Sequence, residues 1–187
     1  MSALTEVRIC NLALGKIGAE RITSLSQDKK EAKLCSLFYS EKRDEVLEAH
    51  PWNFATDRVA LTQIGTAPIS GYAYQYQLPV SPKCLKVLEM TGSVGNWKVE
   101  GDYLLCNDDT VEIRYIKQVI DVSKFDSLFV DALASLLASE LAIPITENLQ
   151  MANMMYQKYL VALRKARGED NMEQNKEYDE PAMWGDA

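Results

Sequence analysis

The chain has 187 residues, 47% of them apolar and 25% charged, with a formal net charge of −7. That length supports one ordinary domain, or one domain with a sizeable insertion, and the apolar share is enough for a packed core, which excludes a disordered polyelectrolyte. The charge is unevenly placed: from Glu169 onward seven acids (Glu169, Asp170, Glu173, Glu177, Asp179, Glu180, Asp186) stand against Lys176, so this tail carries −6 and the remaining body about −1. Such a body lacks the clustered Lys and Arg that grip nucleic-acid phosphates.

In the first helix Ala3, Val7, Cys10, Leu14 and Ile17 recur at alternating spacings of four and three, an apolar seam that Gly18 ends. Leu4, Ile9 and Leu12 lie off the seam, so this helix is either enclosed by the core or in contact with a neighbouring subunit. The second helix is expected to start at Asp28, with Glu31 as its partner in a capping box, and to turn Leu34, Cys35, Phe38, Tyr39, Val46 and Ala49 toward one face. Lys42 and Glu45 intrude on that face and are read as side chains snorkelling at its margin.

The stretch "EVLEAHPWNFATDR" then holds the only histidine, His50. A catalytic imidazole would need a nucleophile, a carboxylate or further metal ligands nearby, and its neighbours are Ala49, Pro51, Trp52, Asn53 and Phe54. The structural reading is a corner: Pro51 forces His50 out of the α region and stops the helix, and Trp52 and Phe54 anchor the departing chain.

Between Arg58 and Val122 the period changes from about 3.6 to 2. Tyr72, Tyr74 and Tyr76 alternate with Ala73, Gln75 and Gln77; further strands are expected around Leu85, Val87 and Leu88, around Trp97 and Val99, at Tyr103 and Leu105 after a Gly101-Asp102 turn, and at Val111, Ile113 and Tyr115 after Asn107, Asp108 and Asp109. The segment reads as an antiparallel meander. Its tyrosine stripe fits a strand face packed on a small core better than a ligand platform.

Helices return at Ser123, which with Asp126 forms a cap signature. "FDSLFVDALASLLASELAI" is apolar almost all round, with Ala132, Ser135, Ala138 and Ser139 small enough for close helix approach, and is expected to be the central helix. Pro144 is expected to break it and Thr146 to cap the next. There Leu149, Ala152, Tyr156, Tyr159, Leu163 and Ala166 form another seam, with Met151, Met154 and Met155 as adaptable packing. Gly168 is expected to close that helix, where Arg164, Lys165 and Arg167 complement its dipole.

The fold class is therefore α+β: an antiparallel bundle of about four helices (residues 1–57 and 123–168), an inserted β-meander (58–122) and an extended acidic tail (169–187). Cys10, Cys35, Cys84 and Cys106 form no CxxC pair and read as core residues of a reducing compartment. No secretory signal order opens the chain and no uninterrupted apolar run approaches a membrane span, so a soluble protein is expected. No phosphate loop, zinc spacing, calcium loop or nucleophile elbow is present, and the adjacent Asp108 and Asp109 suit a hairpin tip better than paired acid–base work. The residues supply no catalytic, cofactor or metal site.

Four segments in order, "ICNLALGKIG", "EAKLCSLFYSEKRDEVLEAHPWNFATDRVALT", "GYAYQYQLPVSPKCLKVLEM" and "FDSLFVDALASLLASELAIPITENLQMANMMYQKY", resemble the tail tubular protein A family of short-tailed bacteriophages (podoviruses), the adaptors between portal and tail nozzle. Its most specific pieces are "HPWNFA", followed by Arg58 and Leu61, and "AIPITEN". The resemblance implies a non-enzymatic virion protein that forms a ring of twelve copies. It would bind a portal protein on one side and a nozzle resembling tail tubular protein B on the other, with genomic DNA passing through without sequence-specific contact. It implies no cofactor and no membrane. The acidic tail lies outside the resembling segments; Tyr178, Met183 and Trp184 are its main large apolar groups. Three such groups do not offset the ordering of 19 residues at about 1 kcal/mol or more each, so the tail is expected to order only against a portal or an adjacent adaptor.

Overall fold

The computed structural model of the protein describes residues 4–66, 68–69, 71–91 and 96–174, with side chains described as far as residue 168. Four helices, α1 (Glu6–Lys16), α2 (Lys30–Ala49), α3 (Ser127–Thr146) and α4 (Leu149–Gln174), frame six strands. These are β1 (Thr56–Ala60), β2 (Tyr74–Gln77), β3 (Cys84–Thr91), β4 (Lys98–Glu100), β5 (Tyr103–Cys106) and β6 (Glu112–Lys117). The α+β architecture expected from the sequence is present.

In α1, Thr5 is the N-cap, its hydroxyl accepting from the Arg8 N–H. Cys10, Leu14 and Ile17 are buried as the seam requires, and Ile9 and Ala13 join them; Ala3 lies outside the described residues. The chain leaves α1 through Gly18 at φ +73, a left-handed conformation that a side chain would strain. Asn11 then pins the following loop, its amide giving to and taking from the Ile22 backbone at 2.8 Å each way.

The capping box expected for α2 does not form. Lys29 is the N-cap and makes no side-chain cap bond, while the Asp28 carboxylate pairs with Lys33 instead: a charged partner within reach outcompetes the backbone N–H. Lys42 does sit at the helix margin, bridging Glu45 at 2.9 Å and Glu140 of α3 at 2.8 Å.

Among the helices α3 is the centre, packing against α1, α2 and α4, with every residue from Ala132 to Ser139 buried. Its cap is Asp126, accepting from the Phe129 N–H at 2.7 Å, whereas Ser123 belongs to a separate short turn held by Asp121. By length and composition α3 would also qualify as a membrane span, with mean hydropathy 1.8, but 61% of that window is buried within the protein. Pro144 does not break it. It sits in the last turn, where a missing N–H costs one bond, and Glu147 N–H to Ile143 C=O at 2.9 Å with Thr146 Oγ1 to Ala142 C=O at 2.7 Å complete the turn. Glu147, at φ 54, ends the helix, and Asn148 caps α4 by accepting from the Met151 N–H at 2.9 Å. Thr146 is thus spent on α3 and is not the cap of α4.

The buried face of α4 is Ala152, Met155, Tyr159, Ala162, Leu163 and Ala166. Leu149 and Tyr156, expected on the seam, are 64% and 46% exposed. The residues at 152, 159, 163 and 166 serve two overlapping stripes, and the position of α3 selects the one through Met155. Gly168 does not close α4, which continues to Gln174, inside the segment read as the tail.

The strands form two three-stranded antiparallel sheets, ordered β1-β6-β3 and β2-β5-β4. This is not a meander: the last strand lies between the first and the third. β1 begins at Thr56, just before the expected edge of the β segment. Tyr72 precedes β2; of the stripe, Tyr76 is buried, its hydroxyl giving to the Asp108 C=O at 2.7 Å. The inner sheet β1-β6-β3 lies between two cores. Ile116, with Leu85 and Leu88, belongs to the helical core, while Ile113 and Tyr115 pack with Tyr76, Leu104 and Cys106 of the outer sheet.

Candidate functional site

The corner of the sequence reading is a joint between the helices and the inner sheet. His50 adopts extended backbone, ending α2 before Pro51. Trp52, 2% exposed, gives its indole N–H to the Val46 C=O at 2.8 Å, and its own C=O accepts from the N–H groups of Ala55 and Thr56 at 2.9 Å. The last turn of α2 and the start of β1 are therefore tied to one residue.

Around it the rings cluster, with the Trp52–His50, Trp52–Phe129 and Phe54–Phe129 pairs edge to face and the Phe54–Phe125 and Phe125–Phe129 pairs tilted. Trp52 meets His50 at 4.9 Å and Phe129 at 5.2 Å between centroids; Phe54 meets Phe129 at 5.2 Å and Phe125 at 5.7 Å; and Phe125 meets Phe129 at 4.5 Å. Pro51 and Phe54 are half-buried. Phe125 and Phe129, which complete the cluster, were not singled out by the sequence reading; their four-residue spacing at the start of α3 is the signal that was available. His50 is 5% exposed, enclosed by packing and not open to a substrate.

A second link is polar. Arg43, 6% exposed, bonds Asp44 through Nε and Nη2 at 2.8 Å, and Asp44 accepts from the Gln118 amide at 2.6 Å, joining α2 to the end of β6. Arg167 of α4 reaches the Ala49 C=O at 3.5 Å, so three elements converge on this end of α2.

The remaining chemistry is scattered. Cys10 and Cys35 face each other between α1 and α2, and their hydrogen bond together with burial drives the Cys10 thiol far above its ordinary value. The same hydrogen bond shifts the Cys35 thiol downward, whereas burial raises Cys84 to about 11 and Tyr159 to about 12; a raised thiol stays protonated, the opposite of a nucleophile's requirement. The buried hydroxyls of Tyr39 and Ser135 have no hydrogen-bond partner among the described residues. Among those residues no group of three or more His, Cys, Asp or Glu is placed to hold a metal ion. Asp108 and Asp109 lie in the turn before β6, where the Asp108 C=O accepts from Tyr76.

Among the described residues the surface carries several concavities. One of about 480 Å³ lies between β3 and β4, lined by Val80, Lys83, Lys86, Trp97 and Val99 among others. Two more, of about 330 and 490 Å³, share Asn11, Leu12 and Arg21, the first lying along α1 and the second between α1 and α3. These are open grooves with mixed polar and apolar lining. Tyr178, Met183 and Trp184, the expected partner contacts, lie outside the described residues.

The fold and joint thus define an α+β protein in which a β segment is inserted into a helical bundle. Compared with protein-family models and with curated proteins, the sequence matches none.

Proposed function

We propose that this chain is a structural adaptor of the tail tubular protein A kind, set in the virion between portal and tail nozzle. It assembles as a ring of about twelve copies around the path of the DNA, works without catalysis or cofactor, and presents its acidic tail, with Tyr178, Met183 and Trp184, to the portal or a neighbouring adaptor. The observation that carries this reading is the correspondence between the resembling segments and the architecture. "HPWNFA" is the helix–sheet joint, "GYAYQYQLP" contains β2, and "AIPITEN" is the turn from α3 to α4. The near-neutral body supports it too, because a weakly charged channel lets a polyanion slide.

The test is negative-stain microscopy of the protein mixed with the portal of a short-tailed phage. The expected result is an added ring below each portal, of the portal's own symmetry. Portals that remain bare at saturating protein would overturn the reading. Tight, steeply salt-dependent binding to free duplex would instead favour a DNA-binding module.

A further inference from the structure

Leu12 is the apolar residue of α1 that the core leaves out. It is 44% exposed and stands where the two cavities along α1 and α3 meet. Val7, Val130 and Ala134 give this groove an apolar lining, and Arg8, Lys16 and Arg21 give it a basic rim. Lys16 is engaged by Asp131 at 2.7 Å. Arg21 is exposed and has no ion-pair partner among the described residues.

The opposite chemistry lies on α2. Leu37 is 60% exposed, and Glu41 and Glu48 are exposed. At about 100° per residue all three fall within roughly 40° around the helix axis. Neither carboxylate has an ion-pair partner among the described residues. An exposed leucine flanked by acids therefore complements a base-rimmed apolar groove in charge, on a different part of the same surface.

We propose that the α1/α3 groove receives the α2 ridge of a second copy of this chain, with Leu37 against Leu12 and with Glu41 and Glu48 facing the groove's rim at Arg21. Because groove and ridge are different surfaces, the contact is heterologous: each copy gives one flank and accepts another, which propagates and closes into a ring when the rotation allows. The contact deepens the adaptor reading and rests on it for its ring. Charge pairs at the rim set register and partner choice, and the two leucines supply the apolar contact.

The experiment uses the full chain and two variants, Arg21→Glu, which spoils the groove, and Glu41→Arg with Glu48→Arg, which spoils the ridge. All three substituted side chains are exposed, and circular dichroism checks that each variant is folded. In sedimentation velocity the unaltered chain is expected to associate with rising concentration, and each variant alone about tenfold or more weakly. Mixed in equal amounts, the two variants pair in alternation, acidic ridge in basic groove and basic ridge in acidic groove, and associate about as the unaltered chain does; combining all three changes in one chain restores association as well. An unaltered chain that stays monomeric, variants that associate normally, weakening by the groove variant alone as a foreign acidic partner would require, or mixtures that do not pair each overturn the contact. Portal recruitment is read separately: recruitment without this pairing sinks only the contact, and pairing without recruitment sinks only the adaptor reading.

Discussion

The helical bundle and the outer sheet enclose their apolar groups by different means. In α3 eight consecutive residues, 132 to 139, are buried because helices surround it. In the outer sheet β5 buries Leu104, Leu105 and Cys106, while every residue of its neighbour β4 is exposed. A helix with neighbours on several sides needs no polar face, whereas a short edge strand is exposed by position, and Lys98 paired with Glu100 at 2.6 Å makes that edge a poor template for further strands. The inner sheet mediates, with Ile116 on the helical side and Ile113 on the other. The difference teaches that stability is expected to fall from α3 outward, with β2, β4 and β5 opening at lower free energy than the bundle.

The largest effect that bears on this gradient is expected at the joint. Trp52→Ala removes the indole bond to Val46 and the ring contacts with Phe129, and is expected to cost about 3–5 kcal/mol in urea unfolding. Loss of helix and sheet signals in one transition would show that the joint couples the two regions. A stability unchanged within about 1 kcal/mol would remove it from the framework.

Leu104→Ala, at a fully buried position of the outer core, is expected to cost about 2–5 kcal/mol. Amide exchange is the sharper readout: β2 and β5 should lose protection while α3 keeps most of its own. Equal loss in both would mean one cooperative core and no gradient.

Asp126→Ala removes the N-cap of α3 and is expected to cost about 1 kcal/mol, whereas Ser123→Ala should cost less, since the Ser123 hydroxyl only gives a hydrogen bond to Asp121, the cap of a short turn. The reverse order in thermal melts would contradict the placement of the helix start. His50→Gln should leave portal recruitment intact and cost about 0.5–1.5 kcal/mol from the lost edge contact with Trp52; abolished recruitment by a folded variant would return His50 to the functional residues.

The smallest effect concerns acid. Lys117 holds the Asp57 carboxyl below its ordinary value by a hydrogen bond at 2.9 Å, and Arg114 does the same for Glu89 at 2.7 Å, so both neighbours of β6 are pinned to it. Depressed carboxylates stabilise the fold above their unfolded pKa values, about 3.9 and 4.3, and that contribution disappears as pH falls through the lower folded values. Both acids are nearly half exposed, so solvent screening keeps the contribution small. The stability difference between the unaltered chain and Asp57→Asn should be positive at neutral pH and vanish in strong acid; a difference that persists there would assign it to packing.

Several features were legible in the residues alone. Pro51 has no N–H and restricts the residue before it, so α2 had to stop at His50 whatever surrounded it. The largely apolar character of 128–143 required a helix packed on several sides, and alternation from Tyr74 to Gln77 required a strand. Each follows from covalent geometry or from a period within one element. The joint was legible in Pro51, Trp52 and Phe54, but its completion by Phe125 and Phe129 was not, because those residues meet it only after α3 folds back some seventy positions later in the chain.

The tertiary structure decided what local rules left degenerate. Two stripes run along α4, and only the position of α3 chose Met155 over Tyr156. Asp28 had both a backbone N–H and the Lys33 ammonium in prospect, and Asp126 and Ser123 competed for one helix start; the geometry of the assembled ends chose between them. Strand order belongs to the same class, since β6 lies between β1 and β3 by contacts across the whole insertion, which no window of neighbouring residues encodes. Leu12 and Ile9, both off the seam of α1, were equivalent in the pattern; packing buried Ile9 and left Leu12 at the groove, because a helix's neighbours cover only part of its circumference.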